Sequence, residues 1–163
     1  MVKIGLLSDT HHFIHPGLPR IFQNCDEIWH AGDIGSMQTI TALKQIKPLR
    51  AVYGNADGHD IRPNFPLVDV FNCEGVKVLL MHIVGYPGKY KKDAQELIQL
   101  HQPQLVIAGH SHILKVMYDK VNQTLFMNPG ACGQQGFHVK KTVLRFVIDK
   151  TQIKDLEVVE LAD

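Results

Sequence analysis

At 163 residues, 45% apolar and 20% charged, the chain has the length and composition of one globular domain, 1–163, able to bury a real core. Its net charge of +1 excludes a global attraction to long nucleic acid or an acidic membrane, so any phosphate affinity must be local. Cys25, Cys73 and Cys132 are odd in number and widely spaced, the opening apolar stretch is short for a signal peptide, and no run approaches the roughly 20 apolar residues of a membrane span; a cytoplasmic protein without a disulfide framework or membrane partner is expected.

The chain opens on Val2 to Leu7, an almost uncharged run that suits a strand buried on both faces. It ends abruptly in Ser8-Asp9-Thr10-His11-His12. Pro16 to Asn24 reads as a short helix, with Leu18, Ile21 and Phe22 at helical spacing. Glu27 to His30 is a second strand, closed by Ala31-Gly32-Asp33. Ser36 is a suitable N-cap for a helix that turns Met37, Ile40, Leu43 and Ile46 inward and stops at Pro48. Leu49 to Tyr53 is a third strand, ending in Gly54-Asn55-Ala56-Asp57-Gly58. This β-α-β-α-β order predicts a parallel sheet.

Leu67 to Phe71 and Val76 to Met81 flank a hairpin turn at Asn72 to Gly75, and the second of them stops at His82. A loop, Gly85-Tyr86-Pro87-Gly88, leads to a helix with Ala94, Leu97, Ile98 and His101 on one side. Leu105 to Ala108 is a strand ending in Gly109-His110-Ser111-His112. Runs near Ile113 to Tyr118, Thr124 to Met127, Thr142 to Ile148 and Leu156 to Leu161 read as antiparallel strands, with turns at Asn122-Gln123 and Asp149-Lys150. The pattern predicts a two-sheet sandwich with helices outside.

Five strand ends therefore carry Asp9 and His11, Asp33, Asn55, His82, and His110 and His112. Singly, each has a plain structural explanation: an aspartate caps the next helix, Gly54-Asn55 fits a left-handed turn, and a buried histidine satisfies itself locally. Together they form an oxygen and nitrogen donor set at the edge where open α/β sheets bind ligands. Three oxygen donors and four imidazoles exceed one tetrahedral ion. They suit two octahedral-leaning divalent ions, with one carboxylate bridging and water completing the shells.

Asp9-Thr10-His11, Gly32-Asp33, Gly54-Asn55, His82 and Gly109-His110-Ser111-His112, in this order, resemble the calcineurin-like metallophosphoesterase superfamily. The length, and the segment Asn128-Pro129-Gly130, resemble its small prokaryotic phosphodiesterase branch. The resemblance implies an α/β/β/α sandwich of two mixed sheets with flanking helices, and a site where the sheets meet. It further implies that Asp9, His11, Asp33 and His112 hold one metal and that Asp33, Asn55, His82 and His110 hold the other. Asp33, Asn55 and His110 then form the catalytic centre. The expected reaction is hydrolysis of a small phosphodiester by in-line attack of a metal-bridging hydroxide. Mn2+ is the first choice of metal for such ligands, with Zn2+, Fe2+ and Ni2+ as alternatives.

The sequence departs from the family at three points. Ala56 stands where many members carry a histidine that serves as general acid, Ile83 replaces the usual glycine after His82, and Ala131 replaces serine after Asn128-Pro129-Gly130. The candidate substrate contacts are His12, Asn128 and Lys89, the last within a Lys89, Lys91 and Lys92 cluster that is otherwise a solvated face. His12 and His59 adjoin the motifs and are the candidates for a substitute acid, whereas His15 and His138 read as exposed loop residues. The alternative to an enzyme is a protein-binding module of the same fold, like the retromer scaffold subunit. The sequence leaves a homo-oligomer open.

Overall fold

The computed structural model describes residues 1–163. Two five-stranded mixed sheets face each other. The first contains β1 (Val2–Leu7), β2 (Glu27–His30), β3 (Leu49–Ala51), β11 (Lys141–Asp149) and β12 (Gln152–Leu161), in the order β12-β11-β1-β2-β3. Its β1, β2 and β3 run parallel, and β11 and β12 add antiparallel. The second contains β4 (Val68–Cys73), β5 (Val76–Met81), β8 (Leu105–Ile107), β9 (Leu114–Asp119) and β10 (Thr124–Pro129), in the order β4-β5-β8-β10-β9. Here β5, β8 and β10 are parallel, with antiparallel strands at both edges.

The period-2 alternation of the strands divides their side chains between two cores. Ile4, Leu6, Trp29, Leu144 and Phe146 of the first sheet meet Val76, Val78, Leu80, Leu105, Ile107 and Met127 of the second. The opposite face of the first sheet buries Leu7, Ile28 and Val143 against Leu18 of α1 (Leu18–Ile21) and Leu43 of α2 (Met37–Ile46). The outer face of the second buries Leu79, Met81, Val106 and Phe126 against Ala94 and Ile98 of α3 (Lys92–His101). The layers are therefore α/β/β/α, as the sequence predicts.

Local differences have local causes. The helix expected over Pro16 to Asn24 is α-helical only over Leu18–Ile21, with turns on both sides. Ser36 caps α2 by accepting from Thr39 N at 3.3 Å, but Met37 is left 38% exposed and the buried face is Thr39, Ile40 and Leu43. The third strand stops at Ala51, two residues short of Tyr53, whereas the last begins at Gln152, before the apolar run at Leu156. The Gly85-Tyr86-Pro87-Gly88 segment is a hairpin rather than a loop, pairing β6 (Gly85–Tyr86) with β7 (Lys89–Tyr90).

Trp29 ties the central core together. Its ring meets Phe71 at 5.1 Å and Phe146 at 5.8 Å, both edge-on, and its indole N–H donates to Glu27 at 2.7 Å. Phe146 is only 1% exposed, so Phe146→Ala removes its aromatic contact and opens a cavity between the sheets. The expected cost is about 3–5 kcal/mol, read from urea unfolding as a lower midpoint with an unchanged slope. A loss under about 1 kcal/mol would show that the core collapses around the gap.

Candidate metal centre

Each predicted ligand except Asn55 and His110 lies at least partly inside the protein, and all seven follow the C-terminal ends of β1, β2, β3, β5 and β8. The loops that carry them are stitched together by backbone. Asp9 N donates to Gly32 O at 2.9 Å, His11 N to Asp33 O at 3.1 Å and His12 N to Ile34 O at 3.1 Å, so the turn after β1 runs beside the turn after β2. Gly109 N donates to His82 O at 3.0 Å across the second sheet.

Two contacts then join the sheets. His110 N donates to Asp9 Oδ2 at 3.1 Å, and His82 Nδ1 donates to Ala31 O at 2.7 Å. The second contact fixes the tautomer of His82, because a donating Nδ1–H leaves Nε2 with its lone pair. That lone pair faces carboxylates: Asp33 Oδ2 is 3.2 Å away and Asp9 Oδ1 3.8 Å.

Asp9, His11 and His112 form one cluster and Asp33, His82 and His110 a second, each with its ligand atoms within 4.8 Å of one another. Asp33 Oδ2 also lies 3.5 Å from His11 Nε2, so it faces both clusters. Asn55 Oδ1 lies 3.1 Å from His110 Nδ1, beside the second. Asp9 Oδ1, His11 Nε2 and His82 Nε2 are buried and make no hydrogen bond. Unpaired polar atoms gathered out of water are costly unless a cation lies between them. The donor set and its bare atoms therefore fit divalent metals.

The electrostatics agree. Burial alone would raise the pKa of Asp9, but His11, His112 and His82, with the Ser8 hydroxyl, outweigh it and hold the carboxyl well below its ordinary range. Burial likewise opposes the charged form of His82, yet Asp33 and Asp9 bring its pKa above the usual imidazole value. Such carboxylates attract positive charge, which a metal supplies in place of protons.

The backbone is strained here. Six of the eleven non-glycine residues with positive φ are Asp9, His11, His12, Asp33, His110 and His112. Left-handed conformations in such residues are uncommon and cluster at functional sites. Close approach adds a second requirement: a Cβ on Gly54 would collide with Asp33 Oδ1, and one on Gly109 with Ser8 Oγ.

The three predicted substrate contacts have different surroundings. His12 is exposed beside the site, and Lys89 is exposed on β7. Asn128 is buried, donating through Nδ2 to Gly109 O (2.9 Å) and Ser111 Oγ (3.1 Å) and accepting from Gly130 N (3.0 Å). Its amide braces the loop that bears His110 and His112. His15 and His138 are not exposed: His15 Nε2 bonds Ala162 O at 2.6 Å, and His138 Nε2 bonds Gly133 O at 2.7 Å with its ring 5.2 Å from His112. His59 is exposed.

Two structural residues escaped the sequence reading. Asp57 accepts from Ile34 N, Gly35 N and Gly54 N at 2.9–3.1 Å, locking the turns after β2 and β3 together. His30 is fully buried: Nδ1 accepts from Gly32 N at 3.0 Å, so Nε2–H donates to Thr10 Oγ1, also at 3.0 Å. The Thr10 hydroxyl in turn donates to Ile34 O at 2.7 Å. A cavity of about 600 Å3 lies beside Lys3, Asn24 and Arg145 and includes none of the candidate ligands.

Residues 2–151 match the calcineurin-like phosphoesterase superfamily domain, and the chain belongs to that family. A probable metallophosphoesterase of Methanothermobacter thermautotrophicus is 30% identical over 136 residues, covering 78% of this chain and 76% of the relative. Among solved structures, a novel archaeal phosphodiesterase is similar with a TM-score of 0.71 and 24% identity, covering 96% of this chain and 99% of its own. Wild-type Vps29 complexed with Zn2+, from Entamoeba histolytica, has a TM-score of 0.72 at 16% identity, covering 97% and 98%. No helix is long and apolar enough to cross a membrane.

Burial pushes the pKa of His30 down to about 4. Between that value and the ordinary 6.5 the unfolded chain binds a proton that the folded one refuses, so stability falls as pH drops through this window and is fully present above it. His30→Gln preserves a donor and an acceptor but does not titrate. The stability difference between wild type and variant should shift against wild type from pH 6.5 to about 4 and level off outside that range. A pH-independent difference would show that His30 is not held neutral.

Proposed function

We propose that the protein is a dinuclear metal-dependent phosphodiesterase that hydrolyses a small phosphodiester by in-line displacement. The observation that carries this reading is the convergence of Asp9 Oδ1, His11 Nε2 and His82 Nε2, buried and bondless, at the junction of the two sheets. Asp9, His11 and His112 would hold one ion, and His82, His110 and Asn55 the other, with Asp33 shared. Two such ions supply Lewis acidity to the phosphoryl oxygens and lower the pKa of an attacking water.

The chain's own part is positioning. Asp33 is held through Oδ1 by Ala56 N at 2.8 Å, which leaves Oδ2 directed at His11 and His82. Asn55 orients the His110 ring. No protein nucleophile competes: burial pushes the Cys132 thiol up to about 12, and Ser111 Oγ has no base among its partners, accepting from Ile113 N and Asn128 Nδ2. Mn2+ is the first metal to try, then Zn2+, Fe2+ and Ni2+. The three free cysteines suit a cytoplasmic setting.

A protein-binding role is the alternative, and it rests on the fold shared with Vps29. Because that neighbour itself binds Zn2+, metal ligation does not separate the two readings. Turnover does.

Ala56 presents no proton to a leaving group, so the reaction should favour weakly basic ones. Across diesters of graded leaving-group pKa, kcat/KM should fall steeply from aryl to alkyl esters. Ala56→His should speed alkyl esters by up to about 10²–10⁴-fold while scarcely changing aryl ones, at equal metal content. A flat dependence in the wild type would place another acid in the site. Absence of turnover with every metal would favour the binding role.

A further inference from the structure

We propose that a cavity beside the metal-binding loop takes the planar base of a nucleotide phosphodiester. The cavity, about 270 Å3, is walled by Tyr86, Ile113 and Phe126 and by the polar Ser111, Lys115 and Asn128. The inference deepens the phosphodiesterase reading and rests on it for the scissile end of the ligand.

Position is the first argument. Ser111, which lines the cavity, stands between His110 and His112 in the chain, so the cavity adjoins the loop that carries two of the candidate metal ligands. That side of the cavity is rigid, because Asn128 Nδ2 bonds Ser111 Oγ and Gly109 O. The facing wall is the β6–β7 hairpin, fixed on the second sheet by Tyr90, whose hydroxyl donates to Asp119 at 2.7 Å and whose ring lies 6.4 Å from Phe126. The larger cavities lie elsewhere; this one holds no metal ligand itself but is lined by Ser111 and Asn128, which belong to or brace the loop bearing His110 and His112.

Chemistry is the second. Tyr86 is 40% exposed and Ile113 63% exposed, so apolar surface is left open at the rim of a polar site. Lys115 holds its ammonium 4.5 Å from the Tyr86 ring centroid and is the one cation lining the cavity. An aromatic ring under an ammonium suits a flat heterocycle that takes the lysine's place on the ring and turns a carbonyl or ring nitrogen to the displaced ammonium. A plain alkyl group would leave the ammonium without an acceptor, and a second phosphate would lie against the apolar wall of Ile113 and Phe126. The volume falls just below the usual range for small-molecule pockets, roughly 300–1,000 Å3, and so admits one ring system.

The test compares two diesters with the same leaving group, thymidine 5′-(p-nitrophenyl phosphate) and methyl p-nitrophenyl phosphate, using metal-loaded protein. Wild type should prefer the nucleotide by about tenfold or more in kcat/KM, the size of one base-stacking contact. Tyr86→Ala and Lys115→Met should each bring the ratio toward one, whereas Tyr86→Phe, which keeps the stacking face, should retain it. Using the ratio removes any general loss of activity from the comparison. A wild-type ratio near one, or a ratio unchanged in both the Ala and Met variants, would overturn the proposal. If wild type turns over neither diester, the phosphodiesterase reading fails by itself, and calorimetric titration with thymidine 5′-monophosphate decides the pocket. Binding that weakens about tenfold in Tyr86→Ala then supports it; no binding, or equal binding in both proteins, overturns it.

Discussion

The carboxylate of Asp9 is the point on which the two sheets depend. It is fully buried, and one of its oxygens is held by the Ser8 hydroxyl at 2.6 Å and by His110 N at 3.1 Å. The first partner belongs to the first sheet's own loop and the second to the loop of the other sheet, so this carboxylate joins the two halves of the sandwich. The other oxygen is bare and lies 3.2 Å from His112 and 3.7 Å from His11. A half-satisfied buried carboxylate is costly in a protein that has no further use for it. Here the cost is localised where a divalent ion would remove it.

Strain follows the same geometry. Six ligand-bearing or adjacent residues adopt positive φ, and the turns that carry them are held by Asp57, His30 and Asn128 rather than by regular secondary structure. The rigid part is the core beneath: Ile4, Leu6, Trp29, Leu80, Ile107 and Phe146 are packed between the sheets at 1% exposure or less. A stiff base permits an unfavourable rim, since the backbone cannot relax without breaking the sheet ladders below it.

The strand ends were legible because an uninterrupted apolar run followed by a carboxylate or an imidazole is a local signal. Val2 to Leu7 before Asp9, and Leu105 to Ile107 before His110, are the clearest cases. The β6–β7 hairpin and the early start of β12 were not, since short or exposed edge strands need no apolar alternation. Asp57 and His30 were missed for a different reason. Their partners lie in other turns, at Ile34, Gly35 and Thr10, and a histidine at the end of Glu27-Ile28-Trp29 reads only as the last strand residue. His138 acquires its neighbour His112 through a loop closure across 26 positions, beyond the reach of local pattern. Which strand ends converge was supplied by the family resemblance; no spacing along the chain encodes it.

The central claim is that two ions share the junction through Asp33. Anomalous diffraction from crystals saturated with Mn2+ tests it most directly. Two peaks about 3.5–4 Å apart are expected, one against Asp9, His11 and His112 and the other against His82, His110 and Asn55, with Asp33 touching both. A single fully occupied peak at saturating metal, or a pair without Asp33 between them, would contradict the account.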